Sequence, residues 1–204
     1  MSARVIVLAG PSGAGKSRLA RRLHEQHGWP VLELDDFYLE AGDPGLPMSP
    51  LGLADWDDVR SWDCEGALQA IDRLCREGST ELPVYDISTS SVVGRQEIRL
   101  GDHPFVVVEG IFSAHTIRGL AERGLLAHAA CVRNRPWLTF ARRLVRDLAE
   151  RRKPPVTLWR RGHLLRQAEP GIVAAQQALG AEPMTAQQAE RRILALLTGA
   201  GADR

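Results

Sequence analysis

The sequence predicts an α/β domain in which a mainly parallel central sheet carries helices on both faces. Two short runs favour this class: the apolar stretch at 5–9, and the stretch at 105–108, which ends in Glu109. Apolar, β-branched runs of this length are typical of strands buried on both faces, as in parallel sheets. A glycine-rich turn and an amphipathic helix follow the first run. We therefore expect a three-layer sandwich.

The composition is that of an ordinary folded chain with almost no net charge. Its 204 residues, 44% of them hydrophobic, favour one domain over residues 1–204. The 26 Lys and Arg against 25 Asp and Glu leave a formal charge of +1. We therefore expect neither nucleic acid nor a membrane as a partner. No apolar run approaches the length of a membrane span, and we expect no N-terminal leader.

The three cysteines do not suggest a disulfide framework. Cys64 and Cys75 would lie about 16 Å apart on one helix, too far to be bridged. No C-x-x-C or Cys/His pairing indicates zinc. These features favour a cytoplasmic protein.

Residues 10–17 read GPSGAGKS and match the phosphate-loop motif G-x-x-x-x-G-K-[ST] at every fixed position. Backbone N–H groups in such a loop, together with the helix N-terminus, form an anion site. The lysine adds a charge for the outer phosphates, and the serine offers a hydroxyl to Mg²⁺. The sequence thus predicts an ATP-type cofactor with Mg²⁺. The predicted cofactor-binding residues are Gly10, Ser12, Gly13, Ala14, Gly15, Lys16 and Ser17.

A second strand, formed by Val31, Leu32 and Leu34, ends in Asp35 and Asp36. In open α/β sheets, ligands bind at the carboxyl ends of strands. These carboxylates are therefore candidates for a metal partner and a general base. Before them, the first helix is expected to run to about His27 and to stop at Gly28.

The middle of the chain predicts a loop, a helix and a hairpin. The loop at 40–53 is rich in Gly and Pro, and a helix from Cys64 to about Glu77 is capped by Asp63. The acidic, aromatic segment at 56–63 forms either a substrate wall or a solvated loop with Trp62 in the core. An extended segment at 82–86 and a polar turn at 88–91 come next, and the stretches at 92–94 and 96–100 are expected to form a small hairpin or paired edge strands.

Glu109 ends the second decisive strand and would emerge beside the phosphate loop, where it serves Mg²⁺ together with Ser17. A helix over Ser113–Arg123 and a strand over Ala129–Val132 are expected next. After them, a helix beginning near Pro136 carries many arginines. These form either a solvated basic face or a lid, over about 142–162, that clamps phosphates.

The last part of the chain predicts further helices, at about 157–167 and over Gly171–Leu179. A capping box at Thr185–Gln188 opens the final helix, which runs over about 185–198. Its inward residues are expected to be Ala189, Ile193, Leu196 and Leu197.

Six short blocks stand out along the sequence: GPSGAGKS (10–17), LDDFY (34–38), WDDVRSWD (56–63), PVYD (83–86), VVVEGI (106–111) and RRLVRDLAER (142–151). Through these blocks the chain resembles the uridine kinase and phosphoribulokinase group of P-loop kinases. The blocks occur in the family's order and spacing. The resemblance implies a P-loop NTPase fold with an Arg-rich lid, and transfer of the ATP γ-phosphoryl group to a hydroxyl of a small-molecule acceptor.

The resemblance also implies roles for individual residues. Asp35 matches the catalytic base and Lys16 the lysine that holds the transferred phosphate. Asp57 matches a residue that binds sugar hydroxyls, and Tyr85 one that lines the base pocket. Among the arginines, Arg142 and Arg146 are assigned to ATP, and Arg143 and Arg151 to the substrate. Related kinases are often homo-oligomers, so self-association is among the expectations.

Three departures from the family pattern fall in acceptor recognition. Residues 87–92 hold no histidine or arginine where uridine kinases read the pyrimidine, Asp58-Val59-Arg60 replaces H-P-D, and Arg152 replaces the lid glycine. A nucleoside is the first expectation for the acceptor, and a sugar, sugar phosphate or vitamin precursor is the alternative. A nucleotide-binding switch or ATPase is a further alternative, although the chain has no N/T-K-x-D element. A kinase-like chain that binds ATP without turnover is the last.

Overall fold

The computed structural model describes residues 3–50, 52–133 and 169–199. Its strands are β1 (Arg4–Ala9), β2 (Val31–Glu33), β3 (Ser79–Asp86), β4 (Ser91–Arg99), β5 (Phe105–Glu109), β6 (Leu126–Val132) and β7 (Glu182–Met184). Five of them form one sheet in the order β2-β5-β1-β6-β7, with every pairing parallel. Strands β3 and β4 form a separate antiparallel hairpin. The predicted α/β class is confirmed.

Helices cover both faces of the sheet. They are α1 (Lys16–His27), α2 (Cys64–Glu77), α3 (Ile117–Glu122), α4 (169–178) and α5 (Ala186–Gly199). Short 3₁₀ turns occupy Leu34–Phe37, Val59–Ser61 and Ser113–Thr116. In the described parts of the chain, no helix is both long and apolar enough to cross a membrane.

The alternation of side chains along β1 explains the layers. Val5 and Val7 pack on one face with residues of α2 and α3, and Ile6 and Leu8 pack on the other with residues of α1 and α5. All four are fully buried. A strand that needs apolar partners on both faces requires a layer of helices on each side.

The predicted helix boundaries agree with the structure where local signals are strong. Helix α1 ends at Gly28, whose N–H bonds to the His24 carbonyl. The Asp63 carboxylate accepts from the Gly66 N–H at 2.9 Å and caps α2. Thr185 and Gln188 exchange hydrogen bonds at the start of α5, as a capping box does.

Several expectations need correction. The helix predicted over Ser113–Arg123 begins as a 3₁₀ turn and is α-helical only over Ile117–Glu122. The sequence did not predict strand β7, because the strand is three residues long and contains Pro183. Among the described residues β7 pairs with β6 and lies at the edge of the sheet, a position that tolerates proline. Leu197, expected inward, is 37% exposed, whereas Ile193 is fully buried.

The helix predicted from Pro136, the lid at 142–162 and the helix at 157–167 lie outside the described residues. So do Arg142, Arg143, Arg146 and Arg151.

Candidate active site

The parallel sheet brings the carboxyl ends of four strands to one edge. In the strand register, Glu109 pairs with Leu8 of β1 and with Glu33 of β2. Ala9 at the end of β1 pairs with Cys131 of β6. The segments that follow these strands are therefore neighbours in space, although they are far apart in sequence. Ligands of open α/β sheets bind in such a crevice.

The phosphate loop lies at the centre of this edge and passes very close to β6. A Cβ at Gly10 would overlap the carbonyl oxygen of Val132, so a larger residue would displace the loop. The loop closes on itself through the Ala14 N–H, which donates to the Pro11 carbonyl at 3.1 Å. Helix α1 then begins at Lys16, so its N-terminus faces the interior of the loop.

Lys16 lies within the curve of the loop and is only 6% exposed. Its ammonium donates to the carbonyl oxygens of Gly10 at 2.9 Å and Pro11 at 3.3 Å. Its positive charge also acts on Asp35 and Glu109, where it opposes the rise in pKa caused by burial. One cation thus faces both acidic groups and the loop.

Ser17 and Glu109 suit a magnesium ion held jointly with phosphate oxygens. The Ser17 hydroxyl is close enough to the Glu109 carboxylate to lower its pKa against the effect of burial, so the two oxygens can reach one ion. Mg²⁺ in kinase sites takes one or two protein oxygens, with phosphate and water completing its octahedron. Burial raises the pKa of Glu109, and repulsion from Asp35 and Glu33 adds to that rise. A cation bound at this carboxylate would offset both effects.

Asp35 lies in the 3₁₀ turn that follows β2, because the strand ends at Glu33 and does not include Leu34, contrary to the prediction from the sequence. Contacts from two other segments hold it there. Its Oδ1 accepts from the Ile111 N–H at 3.2 Å. Gly110 makes this approach possible, because a Cβ there would lie 2.9 Å from the same oxygen. The Trp62 indole donates to the Leu34 carbonyl at 2.6 Å and fixes the turn that carries Asp35.

Burial raises the pKa of the Asp35 carboxyl, while the Ile111 N–H and the Lys16 charge oppose that rise. A carboxylate with a raised pKa is a stronger proton acceptor at neutral pH than an exposed one. Asp35 therefore has the environment that a general base requires.

A cavity of about 250 Å³ opens directly beside Asp35. It is lined by Asp35, Tyr38, Trp56, Tyr85, Ile87 and Ser90. Three aromatic rings form its wall: the centroid of Tyr38 lies 5.9 Å from that of Trp56 and 6.0 Å from that of Tyr85. This cavity is mostly apolar and suits a flat or hydrophobic group next to a carboxylate.

Backbone contacts fix the aromatic wall. The Tyr85 hydroxyl donates to the Leu39 carbonyl at 3.0 Å, and the backbone N–H of Tyr85 donates to Asp36 Oδ1 at 3.2 Å. The Tyr38 hydroxyl donates to the Trp56 carbonyl at 3.3 Å. The hairpin is thereby tied to the turn after β2, so the wall keeps its position relative to Asp35.

The segment at 56–63 contributes in both of the ways left open by the sequence. Trp62 is buried and belongs to the core, whereas Trp56 lines the cavity. Asp57 is exposed at the rim of the cavity. Burial is the largest cause of the raised pKa of the Tyr38 phenol, and the negative charges of Asp35 and then Asp57 raise it further. Asp57 is near the cavity but does not line it.

Two further cavities adjoin the loop. One of about 390 Å³ lies between the start of α1 and the start of α5, lined by residues that include Gly15, Arg18, Thr185 and Gln187. Another, of about 480 Å³, runs from Ser17 and Glu109 along α1 towards His103. The smaller of the two begins at Ala14 and Gly15 of the phosphate loop and shares no lining residue with the cavity beside Asp35.

Several residues at this edge were not singled out from the sequence. Tyr38 and Trp56 line the cavity, and Ile111 donates to the base. Asp36, a sequence candidate for a metal partner or a base, instead accepts from the Tyr85 N–H and anchors the hairpin. Tyr38 and Trp56 lie within the blocks that carry the family resemblance, so the motifs pointed to their neighbourhood. Ile111 acts through its backbone, which leaves no signal in the residue type.

The phosphate loop, the carboxylates of Asp35 and Glu109 beside it and the adjoining cavity are the arrangement of a P-loop kinase. The AAA domain family model matches residues 5–198. A uridine kinase from Geobacillus kaustophilus is 31% identical over 150 residues, which cover 72% of this chain and 68% of that protein. The chain therefore belongs to the P-loop kinase family that includes the uridine kinases.

Two solved structures share the fold. A protein from Silicibacter sp. TM1040, provisionally described as a fructose transport system kinase, aligns with a TM-score of 0.62 at 18% identity, covering 90% of this chain and 88% of that one. A protein from Bacillus stearothermophilus, provisionally described as a uridine kinase, aligns with a TM-score of 0.51 at 19% identity, covering 84% and 85%. At these identities the likeness concerns the fold alone.

Proposed function

We propose that this P-loop kinase transfers the γ-phosphoryl group of ATP to a hydroxyl of a nucleoside, with uridine and cytidine as the first candidates. The observation that carries the proposal is the position of Asp35. Its carboxylate lines the aromatic cavity and also lies within the influence of the Lys16 charge. A base in that position can contact an acceptor on one side and the transferred phosphate on the other.

Residues of the phosphate loop, together with Asp35 and Glu109, have separate roles in the proposed phosphoryl transfer. Lys16 and the loop N–H groups would bind the outer phosphates, and Ser17 and Glu109 would hold a magnesium ion. When bound, that ion neutralises charge on the phosphate oxygens. Asp35 orients the acceptor hydroxyl and accepts its proton. Catalysis of this kind depends mostly on positioning and electrostatics.

The cavity between α1 and α5 is a suitable place for the nucleoside part of ATP. It begins at Gly15 of the phosphate loop and extends to Thr185 and Gln187, whose polar side chains can bond to a base. Arg18 lines it and can stack on a flat ring. ATP would then span the loop from this cavity to Lys16.

The aromatic wall favours an acceptor with a flat ring. Tyr38, Trp56 and Tyr85 offer ring faces and edges, and among the described lining residues Asp35 is the charged group. An anionic acceptor such as a sugar phosphate would meet that carboxylate without a cation from these six residues. Relatives named as uridine kinases agree with a nucleoside. Asp57 at the rim would bind ribose hydroxyls.

A second candidate is a kinase for another hydroxylated metabolite. Ile87 is 63% exposed and Ser90 lines the cavity, so this segment offers few groups that could read a pyrimidine by hydrogen bonds. Sites built to hydrogen-bond a substrate discriminate strongly, whereas apolar pockets do so weakly. A sugar or a vitamin precursor with an apolar part would also fit.

We infer that Arg142 and Arg146 contact ATP, that Arg143 and Arg151 contact the acceptor, and that the chain is one cytoplasmic domain that self-associates. The arginines are suited to phosphate because their planar guanidinium groups form paired hydrogen bonds.

The acceptor class is tested by comparing kcat/KM across a panel with saturating ATP and Mg²⁺. The panel holds the common nucleosides, pantothenate, glycerate, ribulose 5-phosphate and simple sugars. The highest value for uridine or cytidine would support the nucleoside. Turnover with a non-nucleoside alone would favour the second candidate and leave the phosphate site unaffected.

A further inference from the structure

Gln176 on helix α4 is buried where its helix is otherwise largely open to solvent. It is only 6% exposed, while Ala175 and Gln177 on either side are exposed. A buried amide is costly unless both its oxygen and its nitrogen are hydrogen-bonded. An apolar residue would fill the same space more cheaply, so the position calls for an explanation.

Both ends of the Gln176 amide have partners. Its Nε2 donates to the Ile111 carbonyl at 3.3 Å, and its Oε1 accepts from the Cys131 thiol, also at 3.3 Å. Cys131 is fully buried, and burial raises the pKa of its thiol. The thiol therefore stays protonated at neutral pH and acts as the donor. This contact fixes which end of the amide faces Ile111.

Ile111 connects this amide to the reacting centre. Its N–H donates to Asp35 Oδ1 at 3.2 Å, while its carbonyl is held by Gln176. The backbone N–H and carbonyl of Ile111 therefore bond to two different side chains. Cys131, which bonds to the other end of the Gln176 amide, pairs in the sheet with Ala9, the residue just before the phosphate loop.

We propose that Gln176 is a positioning residue: it fixes the backbone of Ile111 so that the Ile111 N–H holds the Asp35 carboxylate in line with the acceptor hydroxyl. The inference rests on the proposed kinase function, because it concerns the base of that reaction. It ties α4 to β6, to the segment after β5 and to the base at the end of β2. Loss of the amide would free residues 110–112 to shift, and a small misplacement of a base slows transfer strongly.

The test compares Gln176→Met with Gln177→Met. Methionine conserves the volume of glutamine but removes its donor and its acceptor, and Gln177 is the exposed neighbour on the same helix. Two quantities are measured for each: kcat with the KM of the acceptor, and the hydrogen-exchange rate of the Ile111 amide by NMR. The second does not depend on activity.

Gln176→Met is expected to lower kcat about tenfold and to speed Ile111 exchange by about the same factor, since the hydrogen bond that holds the Ile111 carbonyl is lost. The Kd for ATP stays within about twofold, and Gln177→Met changes neither quantity.

If the Ile111 amide keeps its protection and kcat is unchanged, the positioning role is wrong while the proposed function stands. If protection falls across all of α4 and β6 while kcat holds, Gln176 is merely structural. If the wild-type chain transfers phosphate to no acceptor, the proposed function fails, and the positioning role fails with it even where Ile111 exchange responds.

Discussion

Asp35 and Glu109 are two carboxylates that the fold holds in surroundings unfavourable to their charge. Burial raises the pKa of both, and repulsion from Asp35 adds to the rise at Glu109. Lys16 is buried nearby and partly compensates. Buried carboxylates with raised pKa values are typical of active sites, where groups needed for the reaction destabilise the fold.

Asp35→Asn should lower kcat about a hundredfold or more, because asparagine cannot accept the acceptor's proton. The amide oxygen can still accept from Ile111, so the Kd for ATP should stay within about twofold. Steady-state kinetics and calorimetry measure the two. The matched control is Asp36→Asn, which keeps an acceptor oxygen for the Tyr85 N–H. Full activity in Asp35→Asn would show that the base is assigned wrongly.

Lys16→Ala should abolish turnover and weaken ATP binding by at least about tenfold, because a charge-assisted contact to phosphate is lost. Binding is measured by calorimetry in the presence of Mg²⁺. Arg191→Ala, an exposed change on α5, serves as the control. Unchanged affinity in Lys16→Ala would contradict the role of the loop as the phosphate site.

Glu109→Gln should raise the free energy of unfolding of the nucleotide-free chain at pH 7. Because its pKa is raised in the folded state, Glu109 holds its proton more tightly there than in the unfolded chain. Its ionisation therefore destabilises the fold as pH rises from the ordinary value of 4.5 through the raised one. The advantage of the variant should vanish at about pH 4, where both states are protonated.

Urea unfolding at the two pH values measures the effect on Glu109. The exposed change Glu25→Gln on α1 is the control and should alter stability by less than about 0.5 kcal/mol. A loss of stability at pH 7 in Glu109→Gln would contradict the account. Activity should fall in the same variant, since it removes an oxygen proposed for Mg²⁺.

At the scale of elements, the β3–β4 hairpin positions the acceptor wall. It is tied to the turn after β2 by the bond from the Tyr85 N–H to Asp36, and Tyr85 and Ile87 both reach the cavity. The sequence predicted an extended segment at 82–86 and a small hairpin or paired edge strands over 92–100, whereas the structure pairs β3 with one continuous strand β4. The sequence could not predict the wall, because Tyr38, Trp56 and Tyr85 come from three separate segments that meet only in the folded chain.

Tyr85→Ala should raise the KM of the acceptor about tenfold with a smaller effect on kcat, because a ring that lines the cavity is removed. Tyr85→Phe retains the ring and loses only the hydroxyl bond to Leu39. It should stay within about threefold of wild type. The ATP affinity of both variants is the internal control. An unchanged KM in Tyr85→Ala would mean that the acceptor binds elsewhere.

Elements with strong local signals were predictable, and those defined by their neighbours were not. The ends of α1, α2 and α5 were predictable because Gly28, Asp63 and Thr185 are residue types that commonly cap helices. Strand β7 instead exists because β6 offers it an edge, and the turn at Ser113–Thr116 interrupts a pattern that reads as one helix. Tertiary contacts decide these cases, and no window of sequence contains them.

At the scale of the molecule, the parallel sheet is what assembles the site. The phosphate loop, Asp35 and Glu109 each follow a strand, so the α/β class alone predicts that they meet. The residues that hold them are less visible in the sequence. Gln176 reaches Ile111 from 65 positions away, and its residue type on a mostly exposed helix gives no hint of that contact.

The measurement that tests the central claim most directly is a comparison of ADP formation with and without an acceptor. Wild-type chain, ATP and Mg²⁺ are incubated with uridine or cytidine, and the phosphorylated product is quantified by mass spectrometry. The account predicts that ADP formation depends on the acceptor and matches the phosphorylated product one to one. ADP formation at a rate that no acceptor in the panel changes, with no phosphorylated product, would contradict it and would assign the site to an ATPase or a nucleotide switch.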